Sequence, residues 1–473
     1  MSTIKRIAKN TGLLFISQII TYALAFVFMM YSARYLGVSD FGVLSFALAF
    51  SGIMVIFADL GLSSLMTREI SRNKSLMEKY IKNIGLIKLI LFLFTLIFSV
   101  LIVIAMGYTG KNIEIVILIT LYTLFGSLSL MFYSLFQSYE KMEYQSLGQV
   151  LNSLLLLAGA LFIIYNKMDI LNFALLYFFV GLIVFVYSLF ICGWKFMLPK
   201  IEIDLDFWKI LIKTALPLSL ISIFSIITFR IDTVLLSIID GNTAVGIYNA
   251  AYRLIEVLIF IPAVFTASIY PVISRFHISS RESLKIAYKK SFKYLVILGL
   301  PIAVGVTILA DKIILLIYGA GFTDSILALK ILIWAIPLIF LTYLFGIIII
   351  SINKQNIALK IVIAVMTLNI VFNIIFIPSY GYVAASIITV ITELISLGII
   401  FHFLSRFICK IQIREVIVKP VVASLIMGLF ILNVNLNLFL LIIAATFIYF
   451  ISLVLLGTFS EDDFKMFKHI VNK

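Results

Sequence analysis

Fourteen apolar stretches, most close to the length that a bilayer demands, leave this chain few ways to fold. Their approximate cores lie at 11–33, 43–63, 84–106, 113–136, 147–165, 170–193, 214–239, 246–274, 294–310, 325–350, 358–378, 382–404, 420–434 and 438–458. Crossing hydrocarbon takes roughly 20 mostly apolar residues. With no water to bond the backbone, a helix is the single-segment solution. Composition agrees: 63% of residues are hydrophobic and 12% charged, with a mean hydropathy of +1.20, unlike a soluble domain. The expectation is an all-α polytopic membrane protein of about 14 transmembrane helices. The first run follows Lys5, Arg6 and Lys9. It is too long for the apolar region of a cleavable leader and has no small-residue cleavage site, so it reads as the first span.

A net charge of +14 raises the question of nucleic acid, and the distribution of the charge answers it. Of the 36 Lys and Arg residues, 28 fall on the termini and the loops after even-numbered spans, counting Lys360 at the start of the eleventh span with the loop before it, four on the other loops, and four within spans. Positive residues collect on the cytoplasmic side, so both termini are expected there, in a cell membrane, with no nucleic-acid partner. Two basic loops stand out, one holding Arg68, Arg72, Lys74, Lys79 and Lys82, the other Arg275, Arg281, Lys285, Lys289, Lys290 and Lys293. Both read as topology signals in contact with anionic membrane lipids. Trp208 reads as an interfacial anchor. Lys88 and Lys330 lie close enough to span ends to snorkel.

The stretch Leu211–Ala251 restates the start of the chain. Gly37, Gly42 and Ala47 recur 204 residues later as Gly241, Gly246 and Ala251. Ser138 and Lys141 recur at an offset of 213 as Ser351 and Lys354. Both markers fit a six-plus-six division. Six is even, so the copies enter the membrane the same way, as a parallel repeat. The expected domains are two six-helix lobes, 1–200 and 205–405, two additional spans over 418–458, and a cytoplasmic tail, 459–473.

Catalytic chemistry is scarce. His277, His402 and His469 are scattered, and no nucleophile, phosphate-loop or metal motif occurs. Cys192 and Cys409 are too few for a disulfide framework or a metal cage. No catalytic residue, metal or cofactor is expected. The polar residues inside the spans are the functional candidates, because charges at membrane depth are costly and face a bundle interior or a wet cavity. Arg230 and Asp232 lie in the seventh span, Arg253 and Glu256 three residues apart in the eighth. They are read either as a substrate-binding cluster or as ion pairs, Arg230 with Asp232 and Arg253 with Glu256, that staple two helices. Glu393, alone in the twelfth span, is the candidate ion carrier. Asp59 reads as a helix-end carboxylate, and Asn152, Asn369 and Asn373 as helix–helix hydrogen bonders. Pro217, Pro262, Pro301 and Pro337 permit kinks.

The stretches Ala33–Gly42 (ARYLGVSDFG), Ala58–Leu62 (ADLGL) with Thr67–Ile70 (TREI), Tyr248–Arg253 and Tyr318–Phe322 carry a resemblance. The chain resembles Wzx-type polysaccharide flippases of the multidrug/oligosaccharidyl-lipid/polysaccharide exporter superfamily. The resemblance implies a MATE-like fold, two lobes around a cavity that opens alternately to each side. It implies a substrate too, an oligosaccharide on a polyprenyl phosphate or pyrophosphate carried to the outer leaflet for surface polysaccharide or glycoprotein glycan assembly. Glycan-assembly proteins follow as partners. It transfers no site residue. A sugar-phosphate headgroup cannot cross hydrocarbon unaided, and arginines offer paired donors to phosphate. The alternatives are a cation-coupled multidrug or metabolite exporter of the same superfamily, and a membrane glycan polymerase or ligase. The sequence leaves the glycan, the coupling ion and the oligomeric state open.

Overall fold

The computed structural model describes residues 3–197, 203–459 and 463, and among them every regular element is helical. The expected tail lies outside the described residues apart from Phe459 and Asp463. The first helices are α1 (Thr3–Asp59), α2 (Leu62–Arg72), α3 (Met77–Ala105), α4 (Lys111–Ser138), α5 (Met142–Tyr165), α6 (Ile170–Lys195) and α7 (Leu205–Ile239). Then come α8 (Asn242–Leu258), α9 (Phe260–Ser279), α10 (Arg281–Ile317), α11 (Ser325–Leu332) and α12 (Ala335–Ser351). The last are α13 (Gln355–Phe407), α14 (Ile413–Asn433) and α15 (Leu438–Leu455).

Eleven segments are long and apolar enough to cross a membrane, or twelve with the bent pair α11–α12. Two of these, α1 and α13, each hold two spans joined across a glycine, Gly37 (φ 72°) and Gly381 (φ 52°). The fourteen expected spans are therefore present among the described residues. Two spans are broken, and each break has a proline behind it. α8 ends at Leu258, four residues before Pro262, which has no N–H to give that carbonyl. α11 ends at Leu332, and Pro337 can give nothing to the carbonyl of Ile333; the pair bends by 41°. The thirteenth span begins at Ile413 rather than near 420, with Pro420 carried inside the helix.

The chain divides into two compact units, which end and begin at Asn249 and Ala250. By sequence pattern α7 opens the second lobe, but by packing it belongs to the first unit. Trp208 Nε1 donates to Asn83 Oδ1 of α3 at 2.8 Å, and Asp204 pairs with Lys79 at 3.1 Å. Trp208 is thus a helix-to-helix tie as well as a candidate anchor. The N–H of Phe207 and the Lys79 ammonium hold the Asp204 carboxyl below its usual range. At the far end of α7, Ser237 bonds Tyr108. The repeated glycines meet here. Gly42 lies against the backbone carbonyl of Asn242, and Gly246 against that of Val38, so a Cβ on either would strike backbone. Part of the first basic loop is the helix α2, which buries Leu62, Leu65, Met66 and Ile70 on one face.

In the second unit α10, α14 and α15 share a core of Ile297, Leu309, Met427, Leu441 and Tyr449, and Tyr449 donates to the carbonyl of Ile297 at 2.7 Å. The two broken spans pack together through α9 and α12. The second basic loop is partly spoken for: Asp463, buried, accepts from Lys293 at 2.8 Å and from Tyr294 at 2.7 Å, with Lys290 at 3.3 Å.

Candidate functional site

Inside the first unit the spans line a partly open cavity of about 600 Å³, within the roughly 300–1,000 Å³ of small-molecule sites. The two arms of α1 contribute Gln18, Thr21 and Asp59; α4 contributes Tyr122, Gly126 and Tyr133; α5 contributes Gln149 and Asn152; α7 contributes Ser219 and Ser222. Small residues shape the wall. Gly181 of α6 lets Tyr122 lie against its backbone, and at Gly61 a side chain would strike the carbonyl of Ala215, 2.7 Å away. The expected helix-to-helix role of Asn152 is present, since it accepts from Tyr122 Oη at 3.4 Å.

One wall is closed by an ion pair. Lys88 Nζ of α3 lies 2.6 Å from Asp59 Oδ1 and donates to the carbonyl of Ser127 at 2.6 Å and to its hydroxyl at 3.1 Å. Asp59 also accepts from the Ser63 hydroxyl, and from the N–H of Gly61 at 3.2 Å. Gly61 reaches back because Leu60 (φ 46°) and Gly61 (φ 81°) turn the chain sharply between α1 and α2. One expectation is corrected: Lys88 does not snorkel, being fully buried with all three protons used. Asp59 is the helix-end carboxylate expected, closing α1, and is also the partner of Lys88 at the cavity wall. The signal was available: spans two and three run antiparallel, so a lone acid near the end of one and a lone lysine near the start of the next sit at one depth.

The charges singled out by sequence are placed as follows. Arg230 is half-buried in α7, its Nε about one atom's contact from Gly52. Asp232 is buried and accepts from Tyr248 Oη at 3.1 Å, beside a Thr233–Asn249 pair at 3.2 Å. In α8, Arg253 Nη1 donates to Glu256 Oε2 at 2.7 Å, with both side chains about one-fifth exposed. Arg230 and Asp232 belong to the first unit, Arg253 and Glu256 to the second. Glu393 Oε2 accepts from Thr342 at 3.4 Å. Asn373 Nδ2 donates to Asn369 within one helix. Among the described residues no group of three His, Cys, Asp or Glu is arranged to hold a metal. The arrangement can bind and release a polar molecule inside a membrane bundle.

The sequence profile described as "Polysaccharide biosynthesis protein" matches residues 7–277, more than half of the chain. The chain belongs to this family. A second profile, MatE, matches residues 217–375 of this polysaccharide biosynthesis protein. It is 22% identical to the capsular polysaccharide biosynthesis protein CapF of Staphylococcus aureus, over 84% of this chain and 99% of that one. It is 23% identical to the probable low-salt glycan biosynthesis flippase Agl15 of Haloferax volcanii, over 87% of this chain and 86% of that one. Among solved structures it is similar in fold to the lipid II flippase MurJ in an inward closed conformation, with a TM-score of 0.78 and 17% identity over 93% of this chain and 97% of that one. The chain is thus a multi-pass membrane protein with the fold of that flippase structure.

Proposed function

We propose that the protein is a flippase that carries a polyprenyl-phosphate- or pyrophosphate-linked oligosaccharide from the cytoplasmic to the outer leaflet of the cell membrane. One observation carries this reading: a family profile for polysaccharide biosynthesis covers residues 7–277, and within that stretch lies a cavity walled by spanning helices and lined by several polar side chains. The names of the relatives point to glycan assembly. The sugar head needs a polar path, while the lipid tail stays in the bilayer. Both termini are cytoplasmic, as the 28-to-4 distribution of positive charge supports. The protein works as a transporter and not as an enzyme, with glycan-assembly proteins as its neighbours. The two six-helix repeats share one orientation, with Gly37 equivalent to Gly241.

Arg230 and Arg253 supply donors to the carrier phosphate. A guanidinium has five N–H groups, and Glu256 accepts from Nη1 of Arg253. Asp232 and Glu256 keep the arginines from holding one state too tightly. Glu393 carries the coupling proton or cation. A second reading, a cation-coupled exporter, is supported by the MatE match over 217–375. Proteoliposomes offered a sugar-lipid and a cationic drug separate the two. Translocation of the sugar-lipid alone supports the flippase; movement of the drug alone overturns it.

A further inference from the structure

The cavity of the first unit has a mostly apolar wall set with a few neutral polar groups, and it presents no free charge. Among the described residues that line it, Asp59 is the single Asp, Glu, Lys, Arg or His. Its partner Lys88 stands behind it with three protons on three acceptors: Asp59 Oδ1, the Ser127 carbonyl and the Ser127 hydroxyl. An ammonium has no fourth donor. An anion entering here would find no cation to pair with and would lie beside the Asp59 carboxylate. Burying an unpaired charge is far costlier than burying a neutral group that finds hydrogen bonds.

Neutral hydrogen-bonding capacity, in contrast, stands open. Among the described residues the amides of Gln18 and Gln149 make no hydrogen bond within the protein. Thr21 Oγ1, buried at the cavity wall, has no partner within the protein. Asn152 spends its oxygen on Tyr122 and keeps its two N–H donors. Each free amide offers two donors and an oxygen acceptor, which suits vicinal hydroxyls and N-acetyl groups. Tyr122 and Tyr133 add ring surfaces that pack against the C–H face of a pyranose.

We infer that this cavity is a sugar subsite selective for uncharged glycan units, read by Gln18, Thr21, Gln149 and Asn152, with the carrier phosphate held elsewhere. This rests on the flippase reading and adds the class of sugar. Nothing lies within 4 Å of a Cβ built on Gly126, which faces the cavity from α4. A larger residue there fills binding space without striking protein, and helices favour it over glycine.

The test uses the full chain in proteoliposomes with two probes on one polyprenyl pyrophosphate, a neutral N-acetylhexosamine disaccharide and a disaccharide ending in a hexuronic acid. Wild type should move the neutral probe about tenfold faster or more, the factor that roughly one lost charge-neutral contact difference sets. Gly126→Leu should slow the neutral probe by about tenfold while keeping the wild-type melting temperature, and Gly126→Ala should slow it less. Gln149→Leu should also slow it. Equal rates for both probes, a faster acidic probe, or an unaltered rate in Gly126→Leu would overturn the subsite. If wild type moves neither probe, the flippase reading itself falls, and the subsite with it.

Discussion

The protein's two best-defined intramembrane ion pairs are built in opposite ways. Asp59 and Lys88 come from different helices, and the lysine is sealed from solvent with every proton committed. Arg253 and Glu256 lie three residues apart on one helix and stay about one-fifth exposed. The first pair ties α1 to α3 and, through Ser127, to α4. The second joins two residues within one helix, one turn apart. The first construction suits a fixed wall of the cavity, and the second suits the anion contact proposed for Arg253.

Breaking the sealed pair should have the largest effect. Lys88→Met leaves the Asp59 carboxylate, about one-fifth exposed at the cavity wall, without its counter-ion and should cost about 2–4 kcal/mol, whereas Lys88→Met with Asp59→Leu should recover most of that loss. Thermal unfolding in detergent measures both; a double variant as unstable as the single would mean that the pair is not a closed unit. Next comes the glycine contact. Gly42→Val drives a side chain into the Asn242 carbonyl and should cost about 1–3 kcal/mol, visible as reduced yield of folded protein. Tyr248→Phe removes one donor from buried Asp232 and should cost about 1.5 kcal/mol; an unchanged melting point would show that its other contacts suffice. The smallest stability change belongs to the pair within one helix: Arg253→Gln keeps a hydrogen-bonding side chain beside Glu256 and should shift stability by about 1 kcal/mol.

The comparison also marks what the sequence disclosed. Length and hydropathy set out all fourteen spans, because hydrocarbon imposes one solution on each apolar run. The glycine repeat was legible, and the structure supplies its physical cause: Gly42 and Gly246 are where two backbones touch. The Arg253–Glu256 pair was legible because helical spacing fixes it locally. The Asp59–Lys88 pair was missed because each charge was judged against its own span end, not against the neighbouring antiparallel span. The cavity was missed for a different reason. Its lining comes from α1, α4, α5, α6 and α7, and amides such as Gln18 and Gln149 carry no periodic signal. The unit boundary at Asn249 likewise depends on α7 packing against α1 and α2, which no repeat spacing encodes.

The most direct test follows an impermeant lectin binding to sugar headgroups that reach the outside of sealed proteoliposomes loaded with the lipid-linked oligosaccharide inside. Wild type should expose the headgroups far faster than protein-free vesicles, and Arg253→Gln should do so about tenfold more slowly at an unchanged melting temperature. Exposure no faster than in empty vesicles would contradict the flippase account, and full exposure by Arg253→Gln would reduce its pair with Glu256 to a staple.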